Sequence, residues 1–177
     1  AEYSWDTGVA IGGYLEGLQE GKILGRLCYE CRRKLVPPRM FCEQCFRPTD
    51  EWVEVGDTGI INTFSLCYVT WDMQPLKIPE IPAVIELDGA SKGIGIMHKI
   101  GGAEPDDIRI GMNVKAVWKP ANERVGSILD IRYFQPVDAR PPRATKRATK
   151  SKAKAPARPK PKTGKKRAAR RARTGAV

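Results

Sequence analysis

Four cysteines form the part of this 177-residue sequence with the clearest chemistry. They fall in two Cys-x-x-Cys pairs that are separated by ten residues, and they are Cys28, Cys31, Cys42 and Cys45. Each pair places two thiolates on one tight turn, and two facing turns offer four sulfur ligands in the tetrahedral geometry that Zn²⁺ accepts in structural sites. The sequence therefore predicts a structural zinc site filled entirely by protein ligands, with no open position for catalysis at the metal.

Two disulfides and a redox-active pair are the alternatives to a metal site. The first residues contain no basic segment followed by an apolar one, so nothing there indicates secretion, and disulfides are rare in reducing compartments. A thioredoxin-like motif would need one Cys-x-x-Cys opening a helix after a strand, whereas two motifs lie here in a loop-rich segment. The apolar stretches are also too short to span a bilayer. These features favour a metal-binding cytoplasmic protein.

The remaining reactive side chains offer little material for catalysis. His98 is the only histidine of the sequence, and it shares the alternation of Ile94, Ile96 and Ile100. We therefore expect a buried histidine with its polar atoms satisfied rather than a catalytic base. Cys67 lies in a strand-like stretch and is interpreted as a small apolar residue. The sequence predicts no catalytic residue and no enzyme activity of its own.

The elements that must position the metal site change in character along the chain. Apolar residues with helical spacing predict one or two short helices over residues 9–27, weakened by several glycines. In the ribbon that follows, Met40 and Phe41 are expected to pack beneath the second cysteine turn. From Glu51 onward, β-branched and aromatic runs separated by Gly, Pro and Asp predict five or six strands, which fits a closed barrel of the OB type.

The sequence thus predicts a mainly β protein with a small helical part. We expect four divisions, which are an N-terminal helical segment (1–25), a zinc ribbon (26–50), an OB-fold barrel (51–137) and a disordered tail rich in Lys, Arg, Ala and Pro (138–177).

The net charge of +11 taken alone suggests a polyanionic partner. It is concentrated in residues 138–177, which contain 16 basic residues and one acidic residue, whereas residues 1–137 contain 15 basic and 19 acidic residues. The tail has no aromatic residue and few large apolar ones, a composition that predicts disorder. Within the mildly acidic body only the ribbon is basic. Its candidates for contact with an anionic ligand or partner are Arg32, Arg33, Lys34 and Arg39.

In the order of its motifs the sequence resembles the DUF35 family, whose members are OB-fold proteins with a rubredoxin-like zinc ribbon and are associated with acyl-CoA chemistry. The resemblance covers about residues 10–137. The segments that carry it are, in order, 14–17, 28–31, 37–39, 42–45, 52–56, 82–88 and 106–112. The glycine usual after the second ribbon cysteine is Arg32 here, a departure that alters the first turn but no ligand.

The resemblance implies an accessory subunit rather than an enzyme. Family members join thiolase-like proteins, which contribute the catalytic Cys and His and act on an acyl-CoA thioester by carbon–carbon bond cleavage or formation. One such setting is aromatic or steroid degradation. The subunit would stabilise its partner and support the partner's acyl-CoA site in a hetero-oligomer, with coenzyme A at the interface and the basic ribbon residues as candidate contacts for its phosphates.

A nucleic-acid-binding zinc-ribbon and OB protein is the alternative. OB barrels bind single strands by stacking bases on exposed aromatic residues in a basic groove. The barrel is acidic and most of its aromatic residues are expected in the core, so the folded body is not predicted to bind nucleic acid. The tail alone would give non-specific, salt-dependent binding.

Overall fold

The computed structural model of this protein describes Ser4 and residues 6–137. The tail predicted to be disordered, residues 138–177, lies outside the described residues. In the described part, one α-helix is followed by nine strands. They are α1 (Gly8–Glu20), β1 (Ile23–Leu27), β2 (Lys34–Leu35), β3 (Glu51–Val55), β4 (Thr58–Phe64), β5 (Cys67–Val69), β6 (Pro75–Leu87), β7 (Gly95–Ile100), β8 (Asn113–Trp118) and β9 (Ile131–Pro136).

Helix α1 ends at Gly21, which has a φ of 82°. This left-handed conformation suits glycine because it has no Cβ to clash with the backbone. The helical region predicted over residues 9–27 is therefore one helix and then a strand, because residues 23–27 pair with β3 along their whole length. Tertiary pairing here overrides the local helical spacing.

The glycines of α1 permit close packing of the helix. A Cβ on Gly13 would lie 2.8 Å from the ring of Trp52, and one on Gly17 would lie 2.7 Å from the side chain of Leu24. The helix accepts lower intrinsic propensity at these positions and gains contact with the sheet below it. Its buried face carries Tyr14, whose hydroxyl is buried with no hydrogen-bond partner in the described part of the chain, and burial raises the pKa of Tyr14 to about 12.

The first three strands form a small antiparallel sheet in the order β2-β1-β3. Its register runs from Ile23 opposite Val55 to Leu27 opposite Glu51. Both cysteine pairs lie in the chain that connects these strands, so the sheet holds the base of the ribbon.

The remaining strands form the predicted OB-like barrel. Five of them close on themselves in the order β4-β8-β9-β7-β6, because β6 also pairs with β4. The β7–β9 pairing is parallel and the other pairings in the barrel are antiparallel. A short 3₁₀ helix lies at Pro105–Asp107. The strand-like stretch that contains Cys67 is divided into β4 and β5.

The barrel core follows the two-residue period of its strands. On β6, the side chains of Ile81, Ala83, Ile85 and Leu87 are buried while those between them are less so. These residues join Phe134 and the buried face of α1 in one apolar cluster. In the described part of the chain, no helix is long and apolar enough to cross a membrane.

Ribbon and barrel meet at the turn between β6 and β7. The backbone N–H of Lys34 donates to Ser91 Oγ at 2.9 Å, and the backbone N–H of Ser91 donates to the carbonyl oxygen of Lys34 at 3.2 Å. Ile94 packs against the barrel core and also against the cysteine cluster of the ribbon. These contacts fix the position of the metal site on the barrel.

Candidate metal centre

The four cysteines predicted as ligands come together in the structure. Their sulfur atoms all lie within 4.8 Å of one another, and the Cys28–Cys45 and Cys31–Cys42 sulfur pairs are each 3.4 Å apart. Tetrahedral Zn²⁺ with Zn–S bonds of about 2.3 Å needs sulfur atoms separated by about 3.8 Å. The cluster therefore has the size of a four-cysteine zinc site.

The two cysteine turns repeat the same local geometry. The backbone N–H of Cys28 donates to the carbonyl of Arg33, and that of Cys42 donates to the carbonyl of Arg47, both at 2.9 Å. The residue after the second cysteine is left-handed in each turn, with a φ of 58° at Arg32 and 53° at Phe46. Glycine would adopt this conformation without strain, which explains why glycine is usual at the position of Arg32. Arg32 has the same left-handed backbone, so its departure from the family pattern leaves the ligands in place.

The pKa values of the clustered thiols are shifted in both directions. Backbone N–H groups of Cys45 and Gln44, which donate to the sulfur of Cys42, outweigh its burial and lower the pKa of Cys42 to about 7. Removal from water raises the pKa of Cys45 to about 12, and it also raises the pKa of Cys31. Four adjacent thiolates need a compensating cation, so the donor set matches Zn²⁺, which binds deprotonated cysteine.

Two of the basic residues proposed to meet an anion are engaged within the ribbon itself. Arg33 Nη1 lies 2.8 Å from Glu43 Oε1, and Arg39 Nη1 lies 3.6 Å from Glu43 Oε2. The side chains of Arg32 and Lys34 form no ion pair with any described residue. Of the four predicted candidates, these two have charges free for a ligand or a partner.

The expected packing of Met40 and Phe41 beneath the second turn is wrong. Phe41 is 63% exposed and Met40 is also exposed, because the small interior of the ribbon is filled by Leu35 and the cysteines. The expectation that most aromatic residues of the barrel lie in the core is met only in part. Among the described aromatic residues of the barrel, Phe134 is buried, Phe64 and Trp118 are partly buried against the core, and Tyr68 and Trp71 are exposed.

His98 is the buried, satisfied histidine that its alternation predicts. Its Nδ1 accepts the backbone N–H of Lys99 at 3.0 Å, which places the proton on Nε2, 3.3 Å from the carbonyl oxygen of Ile128. Its ring also meets the ring of Phe134 edge-on at a centroid distance of 5.6 Å. Cys67 is half-buried at the start of β5, less enclosed than expected.

One buried charge escaped the sequence-based reasoning. Asp130 is fully buried, and its carboxylate accepts the backbone N–H groups of Gly126 at 2.8 Å and Ser127 at 2.9 Å. Burial raises the pKa of Asp130, but the N–H donors of Ser127, Val125 and Gly126 outweigh burial and lower it overall. The signal was present as a Ser-x-x-Asp capping box at 127–130. Its role is to organise the turn before β9.

Comparisons with known proteins agree with this architecture. Residues 15–51 match the family model described as the ChsH2 rubredoxin-like zinc ribbon domain, and residues 52–119 match the one described as the ChsH2 C-terminal OB-fold domain. A "DUF35 domain-containing scaffold protein" of Methanocaldococcus jannaschii is 30% identical over 102 residues, which are 57% of this chain and 70% of the relative. The chain belongs to the DUF35 family. The predicted zinc ribbon and OB fold are thereby confirmed.

Other DUF35 proteins extend the comparison. A relative of the same name in Methanothermobacter thermautotrophicus is 26% identical over 106 residues, 59% of this chain and 77% of the relative. A crystal structure of a DUF35 protein of unknown function from Sulfolobus solfataricus is 26% identical with a TM-score of 0.53, over 63% of this chain and 79% of that one. A chain of the structure described as "Ltp2-ChsH2(DUF35) aldolase" shares the fold with 20% identity and a TM-score of 0.54, over 76% of this chain and 98% of that one.

Proposed function

We propose that this chain is a non-catalytic, zinc-binding subunit that assembles with a thiolase-like enzyme acting on an acyl-CoA thioester. The observation that carries the proposal is its membership of a family whose related proteins are named scaffold proteins. The fold it shares with a chain of the Ltp2-ChsH2(DUF35) aldolase suggests carbon–carbon bond cleavage or formation as the reaction of the complex. Aromatic or steroid degradation is one setting for such a reaction.

The chemistry of the described residues supports an accessory role. The four cysteines leave no coordination position for a substrate once Zn²⁺ is bound, and Zn²⁺ there supplies a cross-link between the two turns. His98 uses both ring nitrogens within the barrel, so it is not available as a general base. The catalytic groups of the reaction are therefore assigned to the partner.

The ribbon has the charges to meet the phosphates of coenzyme A at the partner interface. Arg32 and Lys34 are the two predicted candidates without an ion pair in the described structure, while Arg33 and Arg39 share Glu43. Arginine and lysine both bind phosphate, arginine with a bidentate geometry. Reversing the charge at Arg32 tests this point, because Arg32→Glu is expected to raise the KM of the complex for acyl-CoA with little change in its assembly.

Purification of the tagged full chain from its native host tests the proposal. We expect a thiolase-like protein, identified by mass spectrometry, to be recovered in stoichiometric amount. Reconstituted with this chain, that enzyme is expected to cleave or form an acyl-CoA carbon–carbon bond and to lose activity or thermal stability without it. Recovery of the chain alone would contradict the proposal, as would acyl-CoA turnover by the chain free of any partner.

Polyanion binding is a second candidate, favoured by the 16 basic residues between positions 138 and 177. Such binding is non-specific and weakens steeply with salt. Affinity for duplex and single-stranded DNA is therefore to be measured for the full chain and for residues 1–137 over a range of salt concentrations. Binding that disappears on truncation would assign it to the tail, whereas binding retained by residues 1–137 would give the folded body a nucleic-acid role.

A further inference from the structure

A two-stranded arm extends from the barrel between β5 and the first half of β6. We define the β5–β6 arm as residues 67–80. Its strands pair with each other from Cys67 opposite Glu80 to Val69 opposite Pro75, and β6 joins β7 only from Ile81 onward. All residues of the arm lie in the described part of the chain, and none of them is buried. The arm therefore adds nothing to the barrel core.

The arm exposes large apolar side chains at its tip and along β6. Trp71 is 96% exposed, Met73 is 76% exposed and Ile78 is 78% exposed, and Tyr68 and Val69 are also exposed. Trp71 alone presents on the order of 200 Å² of side-chain surface, and Met73 follows it in the same turn. Exposed large apolar side chains grouped in this way are typical of protein–protein interaction sites.

The turn at the tip holds Trp71 away from the rest of the chain. The backbone N–H of Thr70 donates to the carbonyl of Gln74 at 2.9 Å, and that of Met73 donates to the carbonyl of Thr70 at 3.1 Å. Met73 adopts a left-handed φ of 64°, which costs free energy in a residue with a Cβ. A hydrogen-bonded turn that accepts this cost and presents a solvated tryptophan indicates a surface that becomes buried in an assembly.

The composition of the arm limits the kinds of partner that could bind it. Its charged residues are Asp72, Lys77 and Glu80, so it has no excess of positive charge to attract a polyanion. Strand addition by a second copy is disfavoured, because β5 has three residues and Pro75 and Pro79 of β6 have no N–H to donate. An apolar cleft that receives side chains rather than backbone fits the arm.

We infer that the β5–β6 arm inserts into an apolar cleft of the thiolase-like partner, with Trp71 as its anchor. The inference rests on the proposed function, and it places the main contact with the partner on the barrel rather than on the basic ribbon. Arg33, Arg39 and Arg47 of the ribbon are paired with acidic residues of this same chain, which leaves less charge there to drive assembly. Tryptophan is among the residues that most often dominate interface energetics.

The test compares full-length variants for binding to the enzyme recovered with the native chain. Isothermal titration calorimetry measures the Kd for the wild type, for Trp71→Ser, and for Trp71→Ser combined with Met73→Ser. Phe46→Ser is the matched control, since Phe46 is an aromatic residue of the ribbon that is 86% exposed and has, like Met73, a left-handed backbone. We expect Trp71→Ser to weaken binding at least about thirtyfold, the loss typical of an interface hot spot, and Phe46→Ser to change it less than about threefold. The thermal unfolding midpoint of each variant should match that of the wild type, because the replaced side chains lie outside the core.

The outcomes separate this inference from the proposed function. Equal binding of the wild type and the double variant would overturn the role of the arm and leave the accessory subunit standing. Failure of the wild-type chain to bind any thiolase-like enzyme would overturn both. Sedimentation of the isolated chain tests the alternative that a second copy of the chain covers the arm. A wild-type dimer that becomes monomeric in Trp71→Ser would establish that alternative and overturn the inference.

Discussion

The ribbon and the barrel achieve order in different ways. The ribbon's own buried apolar cluster consists of Cys28, Leu35 and Cys42, whereas the barrel and α1 bury one large apolar cluster, which Val36 of the ribbon joins. A segment with so little apolar surface cannot offset its conformational entropy by burial and needs a cross-link. The barrel has no free edge among its five closing strands and needs no metal. The comparison indicates that the metal stabilises one region and leaves the other largely independent.

The largest effect is expected from loss of a metal ligand. Cys28→Ser should bind less than one zinc per chain, and its ribbon should lose amide protection over residues 23–55, because zinc binding and folding of such a segment are one equilibrium worth several kcal/mol. Residues 81–100 of the barrel should stay protected in hydrogen exchange.

Cys67→Ser is the control for this variant, since Cys67 lies apart from the cluster and its variant should retain zinc. Loss of protection throughout the barrel in Cys28→Ser would show that the two regions do not fold independently.

The stability of the barrel depends in part on the buried carboxylate of Asp130. Asp130→Ala leaves the N–H groups of residues 125–127 without their acceptor and should cost about 2 kcal/mol in urea unfolding with zinc present. Because the pKa of Asp130 is lowered in the folded state, its contribution is complete above its unfolded pKa of about 3.9 and is lost as the pH falls through the lower folded value.

The free energy of unfolding, measured between pH 7 and pH 2, tests the direction of this pH dependence. The wild type should lose stability over the acidic part of this range, and the difference between wild type and Asp130→Ala should shrink as the pH falls. A difference that grows on acidification would contradict the assignment.

The contact between the two regions depends on Ile94. Ile94→Ala removes an apolar side chain that touches both clusters and should cost about 2 kcal/mol. It should also separate metal-dependent unfolding of the ribbon from unfolding of the barrel in calorimetry.

Ile110→Ala is a suitable comparison, because Ile110 is 67% exposed and its truncation should cost less than about 0.5 kcal/mol. One cooperative transition of unchanged midpoint in Ile94→Ala would mean that other contacts couple the regions.

The smallest effect is expected within the ribbon turn itself. Arg32→Gly should stabilise the zinc-bound protein by about 1 kcal/mol, since a residue with a Cβ is strained at a φ of 58°. Arg32→Ala retains the strain and should give no such gain. Thermal unfolding of both variants distinguishes relief of strain from removal of charge, and an equal gain in both would favour the charge.

The sequence was sufficient for features whose signals are local. The spacing of Cys28, Cys31, Cys42 and Cys45 predicts the cluster, because two closely spaced thiolate pairs restrict the chain to facing turns. The alternation around His98 predicts its burial. The left-handed backbone at Arg32 explains why glycine is usual at this position.

Other features could not be predicted because they depend on partners distant in the chain. Residues 23–27 continue a helical spacing, and pairing with β3 makes them a strand. Glu43 pairs with Arg33 only because the ribbon folds back on itself. The Lys34–Ser91 contact joins residues 57 positions apart.

The sequence by itself therefore determined the cysteine cluster, the class of barrel and the division of charge between body and tail, since composition, cysteine spacing and strand periodicity are properties of short segments. The tertiary structure decided which side chains stay in solvent. The aromatic character of Trp71 and Phe41 gives no sign of their exposure, because burial depends on what the rest of the fold places against a residue. The exposure of Trp71 is the reason that the β5–β6 arm is a candidate docking surface.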